Sequence, residues 1–285
     1  MFSTKSILSV AFAIGFAGCA VAGKSFQHPE SSARQTRGAT APRAIPSPVT
    51  LDAPALTAAP LVLRRDEAAL AVLERRVTRL SHPDALRLAF QAYWNFREAN
   101  PHQVKKPYLY FVDYGLDSRE PRGWVFDMDR LEVVDGPFTV AHGRGSASGP
   151  DGIPTRFTNI QNSATTSLGL YVAEETYAFS GTSSGHRYRS IGLRLRGVSG
   201  KFNSAARRRG IVVHGAPYVT AAKAGRSEGC PAMEPARAER LIPLIANGGV
   251  VFHFSPADAR WMREDPWIAR SRERMASANT PDLAG

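Results

Sequence analysis

A chain of 285 residues, 43% of them hydrophobic, can bury one good core, and one compact domain leaves residues over. Its 36 Lys and Arg outweigh 25 Asp and Glu, for a formal charge of +11. The arginines are scattered, Arg207-Arg208-Arg209 is the one dense run, and no nucleic-acid-binding motif accompanies them, so a solvated basic surface is expected and a nucleic-acid partner is not.

Residues 1–22 read as an export signal. Lys5 supplies a basic start, Ile7 to Phe16 a short apolar run, and small residues follow. The run is too short to span a bilayer. Two processing sites stay open: Ala20-Val21-Ala22 suits cleavage before Gly23, whereas Phe16-Ala17-Gly18-Cys19 resembles a lipoprotein box that would make Cys19 a lipid anchor. Either way Cys19 is removed or occupied, so Cys230 has no intrachain partner, which is unusual in an oxidising compartment. A buried structural thiol is the plain alternative to a reactive one.

Residues 23–62 are rich in Ala, Pro, Ser and Thr and offer little to bury, as expected of a disordered tether. A helical pair is expected over 63–103. In the first helix Leu70, Leu73, Val77 and Leu80 recur at helical spacing; the second starts after Ser81 and Pro83-Asp84, carries Leu86, Phe90, Tyr93, Trp94 and Arg97, and ends near Asn100-Pro101. A mainly β domain is expected over 104–258, with strands at 108–114, 123–128, 132–134, 138–142, 168–179, 191–195, 210–214 and 250–254 and one helix over 234–246. The pattern fits a β-sandwich or open barrel with a few helices rather than a doubly wound sheet. Residues 259–285 read as a terminal helix and tail.

The chemistry concentrates in Ile211-Val212-Val213-His214-Gly215-Ala216-Pro217-Tyr218 and, after a polar loop, Gly225-Arg226-Ser227-Glu228-Gly229-Cys230-Pro231-Ala232-Met233. A strand ends in His-Gly, and a Gly-Cys turn is expected to open a helix. Acyl transfer by a thiol needs a thiolate, which a neighbouring imidazole or a helix N-terminus favours. Backbone N–H groups around Gly229 and Cys230 would face a developing oxyanion, with Gly229 permitting close approach of substrate.

His-Gly, a loop, then Ser-x-Gly-Cys resembles the signature of the murein L,D-transpeptidase catalytic-domain family, in the branch whose motif ends Gly-Cys-Pro. Further matches are Trp124 to Asp127, Val140-Ala141-His142-Gly143, Phe157-Thr158-Asn159, Ser167-Leu168-Gly169-Leu170-Tyr171 and Phe202-Asn203. The resemblance implies a largely β fold, no cofactor and no metal, and a location in the periplasm or cell envelope. It implies attack by Cys230 on the bond between meso-diaminopimelate and D-alanine of a peptidoglycan stem tetrapeptide, release of D-alanine, and transfer of the resulting thioester to an amine. His214 carries over as base and the Gly215 carbonyl as the group orienting it. Where the commoner family form has His this chain has Glu228, and where it has Arg or Asn this chain has Ala232. Glu228 aimed at the sulfur would oppose ionisation unless Arg226 offset it.

Ser227, Glu228, Gly229, His142 and Tyr218 complete the candidate oxyanion and substrate-binding set, with His142 open to a purely structural role. Ser183-Ser184-Gly185-His186 reads as a polar surface loop or a lid, and Tyr188 as a pocket wall. Three rival readings share the residues: an L,D-carboxypeptidase using water as acceptor, a zinc hydrolase on His142, His214 and Cys230, and a non-catalytic wall-binding protein.

Overall fold

The computed structural model describes residues 61–148 and 152–278. The export signal, nearly all of the tether and the last residues of the tail lie outside that range.

Helix α1 (Leu61–Leu73) and helix α2 (Ala85–Ala99) precede strands β1 (Tyr108–Asp113), β2 (Gly123–Asp127), β3 (Glu132–Phe138), β4 (His142–Gly143), β5 (Gly169–Ser183), β6 (His186–Gly197), β7 (Val212–Gly215), β8 (Val219–Thr220), β9 (Lys223–Ala224), β10 (Arg226–Ser227) and β11 (Ala232–Met233). Helix α3 (Pro235–Ile245), strand β12 (Val250–Phe254), helix α4 (Ala259–Glu264) and helix α5 (Pro266–Ala278) follow.

Eight strands form one mixed sheet in the order β11-β7-β6-β5-β12-β1-β2-β3, so the structure is mostly β with a few helices, as the sequence implies. The central strands β1 and β12 pair in parallel and are buried on both faces, which is why they read as unbroken apolar runs. Alternate side chains feed two cores. Leu109 and Phe111 face the layer of α1, α2, α4 and α5, whereas Tyr110 and Val112 face α3.

Between Ala85 and Phe96 only Arg87 reaches even partial exposure, so α2 is covered nearly all round. Helix α5 covers one side of it: Phe96 meets Trp267 edge to face at 4.8 Å, and Asn95 donates to the Trp267 carbonyl and to Ser271 Oγ. The helical pair therefore shares the main core instead of forming a separate lobe.

The first helix is shorter than its apolar spacing predicts. It tightens into a single 3₁₀ turn at Glu74–Arg76, and Val77 is extended. Ser81 explains the break: its N–H and Oγ both bind the buried Asp113 carboxylate, at 2.7 and 2.6 Å, pinning the chain to the end of β1. A continued helix would carry Ser81 away from that anchor. The strand expected at 138–142 is likewise split, between the end of β3 and the short β4.

Strands β5 and β6 make a long hairpin closed by two residues. Ser183 pairs with His186, and Ser184 and Gly185 both have positive φ, 50° and 81°. That is the mirror-image turn suited to the twist of a hairpin, so the polar segment expected as a surface loop or lid is a tight strand reversal.

Candidate active site

His214 and Cys230 lie on neighbouring chain segments at one edge of the sheet. Strand β11 runs parallel to β7 with Ala232 opposite His214 and Met233 opposite Gly215, and the His214 N–H donates to the Pro231 carbonyl. Contrary to expectation, the Gly-Cys turn opens this short strand first. Helix α3 starts later, and its first turn packs behind Gly215, where a Cβ would sit 2.9 Å from Pro235 Cα and from Ala238 Cβ.

The imidazole is buried and fixed on two sides. His214 Nδ1 lies 3.0 Å from the Gly215 carbonyl oxygen, which can only accept, so Nδ1 carries the proton and Nε2 presents its lone pair. The Phe179 ring stacks on the imidazole at 4.2 Å and 20°. Ser190, opposite Phe179 on the hairpin, accepts the Gly215 N–H at its Oγ. Burial lowers the His214 pKa to about 4, against the smaller upward pull of the Gly215 carbonyl.

Cys230 is the free cysteine of the described residues and is partly exposed. Its thiol faces the Gly210 carbonyl at 3.7 Å, and the sulfur accepts the Val212 N–H. Protein packed around the sulfur raises the pKa to about 11, offset in part by Val212 and by Arg209, while Glu228 adds to the rise. No hydrogen bond links the thiol to the imidazole, and burial opposes charge on both groups.

The turn is shaped by Ser227, whose Oγ donates to the Cys230 carbonyl at 2.6 Å and accepts the Gly229 N–H at 3.1 Å. The Gly229 amide is therefore occupied, and of the two amides proposed for an oxyanion only that of Cys230 has no partner among the described residues. Gly229 has φ +126°, and a Cβ there would stand 2.8 Å from the Thr165 carbonyl, so no other residue fits.

Glu228 forms an exposed ion pair with Arg144 at 2.7 Å. One of the Arg226 guanidinium nitrogens donates to the Ala147 carbonyl. Tyr188 stacks at 6.5 Å on His214, and Tyr218 packs edge to face on Tyr188 at 6.4 Å behind it.

His142 is fully buried on β4, opposite Arg226 of β10. Arg122 donates to its Nδ1 at 2.8 Å, which places the proton on Nε2, a nitrogen without a partner. Burial and the Arg122 charge lower its pKa to about 3. The same guanidinium, buried and lowered to about 10, also binds the Val140 and Leu116 carbonyls. His142 is thus a member of a structural lock beside the Cys230 turn. Among the described residues no group of three or more His, Cys, Asp or Glu is arranged to hold a metal, so the zinc reading on His142, His214 and Cys230 finds no site.

Sequence reasoning missed Arg122, Phe179 and Arg209. Nothing distinguishes Arg122 in the sequence. Phe179 carries a signal: with Tyr177 it alternates among Ser, Thr and Gly in an otherwise polar arm, as a one-sided aromatic face would.

No curated protein matches the chain. Among solved structures, the L,D-transpeptidase from Mycobacterium smegmatis is 16% identical over 52% of this chain and 58% of its own, at a TM-score of 0.32. One from Mycobacterium tuberculosis H37Rv is 16% identical over 52% and 57%, at 0.30. That from Stackebrandtia nassauensis is 14% identical over 68% and 92%, at 0.32. The chain spans a little over half the length of the two mycobacterial proteins, and likenesses this faint add nothing to the geometry of the site. The family model for the L,D-transpeptidase catalytic domain matches residues 78–254, well over half of the chain and inclusive of the His214 strand, the Cys230 turn and the whole main sheet. On that match the chain belongs to the L,D-transpeptidase catalytic-domain family.

Proposed function

We propose that the protein is a peptidoglycan L,D-transpeptidase that forms a thioester on Cys230 from a stem tetrapeptide and passes it to an amine. The observation carrying this reading is the tautomer of His214: with Nδ1–H donated to the Gly215 carbonyl, Nε2 is the basic atom, and the β7–β11 pairing holds it next to the Cys230 segment.

A neutral pair implies that the thiol ionises as it attacks. Rotation of the Cys230 side chain away from Gly210 brings the S–H towards Nε2, a contact that tightens only with substrate in place. The sulfur bonds to the carbonyl carbon of the diaminopimelate–D-alanine amide while Nε2 takes the proton. The Cys230 amide receives the charge on oxygen. The C–N bond breaks, His214 returns its proton to the departing D-alanine nitrogen, and a thioester remains. An incoming amine, losing a proton to the same nitrogen, displaces the thiol and forms a new amide; water in its place yields a trimmed peptide. Stem peptides lie outside the cytoplasmic membrane, so this reading needs the export that residues 1–22 suggest, with or without lipid on Cys19.

Incubation with a carbapenem should add one drug mass to the protein, and Cys230→Ala should abolish the adduct; equal labelling of both would remove Cys230 as nucleophile. Muropeptide analysis then separates crosslinked dimers from tripeptides, and hence amine from water as acceptor.

A further inference from the structure

The run Arg207-Arg208-Arg209 is not one basic patch. Arg207 pairs with Glu174 and Glu175, and Arg208 is exposed. Arg209 is half-buried and turned to neutral groups: it donates to the Thr158 carbonyl at 2.8 Å, the Thr165 carbonyl at 2.6 Å, Ser167 Oγ at 3.2 Å and Ser163 Oγ at 3.3 Å. No carboxylate among the described residues pairs with it. Four neutral acceptors fix the fork without cancelling its charge, and a half-buried cation left in that condition is costly unless an anion visits it.

Arg209 lines a cleft of about 300 Å³ with Arg144, Asn162, Ala164, Ile211 and Glu228. Arg209 and Ile211 flank Gly210, whose carbonyl the Cys230 thiol faces, so the cleft opens beside the nucleophile. Its one acid, Glu228, is already matched by Arg144, which leaves a surplus positive charge at Arg209. Two of its lining residues, Asn162 and Ala164, hold positive φ of 59° and 52°, and a Cβ on Gly143 would lie 2.2 Å from the Ala164 carbonyl. Ala gains nothing from that backbone locally, so packing imposes the shape.

We propose that this cleft is a carboxylate subsite for the donor peptide, in which Arg209 binds a free carboxylate close to the scissile amide while the exposed Arg144–Glu228 pair forms the mouth. Two carboxylates of the donor have this chemistry, that of the leaving D-alanine and the free one on the diaminopimelate side chain. The inference rests on the thiol acyl-transfer reading above.

Its test does not depend on that activity. Cys230 is alkylated with iodoacetate or iodoacetamide, and modification is followed on the Cys230 peptide by mass spectrometry. A change in thiol ionisation alters both rates alike, so their ratio isolates attraction of the anion. Arg209→Gln should lower the iodoacetate-to-iodoacetamide ratio by about five- to tenfold, the scale of one charge at close range. Arg207→Gln should leave the ratio as in wild type. In the unmodified protein, N-acetyl-D-alanine should protect Cys230 from iodoacetamide and N-acetyl-D-alanine amide should not, a comparison that stands even if Arg209→Gln fails to fold. An unchanged ratio in folded Arg209→Gln, or equal protection by acid and amide, overturns the proposal. Tetrapeptides amidated at either carboxylate then assign the source, as the one whose KM rises while kcat holds. Charge-selective alkylation without turnover of any tetrapeptide would keep the subsite and sink the transpeptidase reading instead.

Discussion

At the scale of single residues, the site is governed by how little water reaches His214. A base must be neutral to act, and burial holds this imidazole near 4, so the acid limb of kcat/KM should lie near pH 4 rather than at the ordinary histidine value. Phe179 seals one face of the ring. Phe179→Ala should therefore move the limb up towards 6.5, and NMR titration of the His214 ring in the free protein should move with it. A limb that stays put in the variant would show that other walls do the desolvating. His214→Gln keeps a donor for the Gly215 carbonyl but no base, and thioester formation should slow by about 10² to 10⁴. A His-Gly strand end and a Gly-Cys turn leave a local trace in the sequence, and the fold brings the two segments together through β7 and β11. The state of the sulfur leaves none: its surroundings come from Gly210, Val212 and Arg209, and burial is a property of the packed chain.

At the scale of elements, the longer strands buried on both faces, β1, β2 and β12, are plain in the sequence, whereas the two-residue strands β4 and β11 are too short to show. The run Val250 to Phe254 matches β12 at both ends, whereas the hairpin arms, largely exposed near their tip, gave only weak alternation and were read short. The apolar spacing runs on to Leu80, past the end of α1 at Leu73, because the tie that breaks the helix is the capture of Ser81 by Asp113. A tie between residues 32 apart leaves no mark in a local window. Arg122 belongs to the same class of long-range device. It holds Leu116, Val140 and His142 together, and its loss leaves buried acceptors without donors. Arg122→Ala should cost about 3 to 5 kcal/mol in chemical denaturation, and Arg122→Lys should recover only part of it, since a point charge cannot span the fork. Equal stability of Arg122→Ala and wild type would mean that water replaces the guanidinium.

Across the whole molecule, the layering was legible as mainly β with helices at the front and back, while the assignment of α3 to one face and the other helices to the opposite one was not. Three buried histidines tie stability to pH. Burial holds His142 near 3 and His214 and His253 near 4, so below about 6.5 the unfolded chain takes up protons that the folded one refuses. Each contributes stability that is present above the unfolded value and is lost as pH falls towards its folded value, by about 1.4 kcal/mol per pH unit. Asp66, Asp113 and Asp265, whose carboxyls burial raises, work in the opposite direction. A difference measurement removes them: His253→Asn keeps a donor for the Ser167 carbonyl, and its stability relative to wild type should improve steadily from pH 6.5 to 4. A pH-independent difference would show that His253 is already charged in the fold.

The hairpin makes the setting of His214 depend on counting. Phe179 sits opposite Ser190, and Gly192 sits opposite His214, so the ring, the hydroxyl and the imidazole meet through one ladder alignment. Displacing either arm by a single step would offer Ala178 or Ser180 where the aromatic now stands and send it to the reverse side. The Ser184-Gly185 reversal, far along the chain from His214, accordingly holds the register on which the imidazole's seat depends.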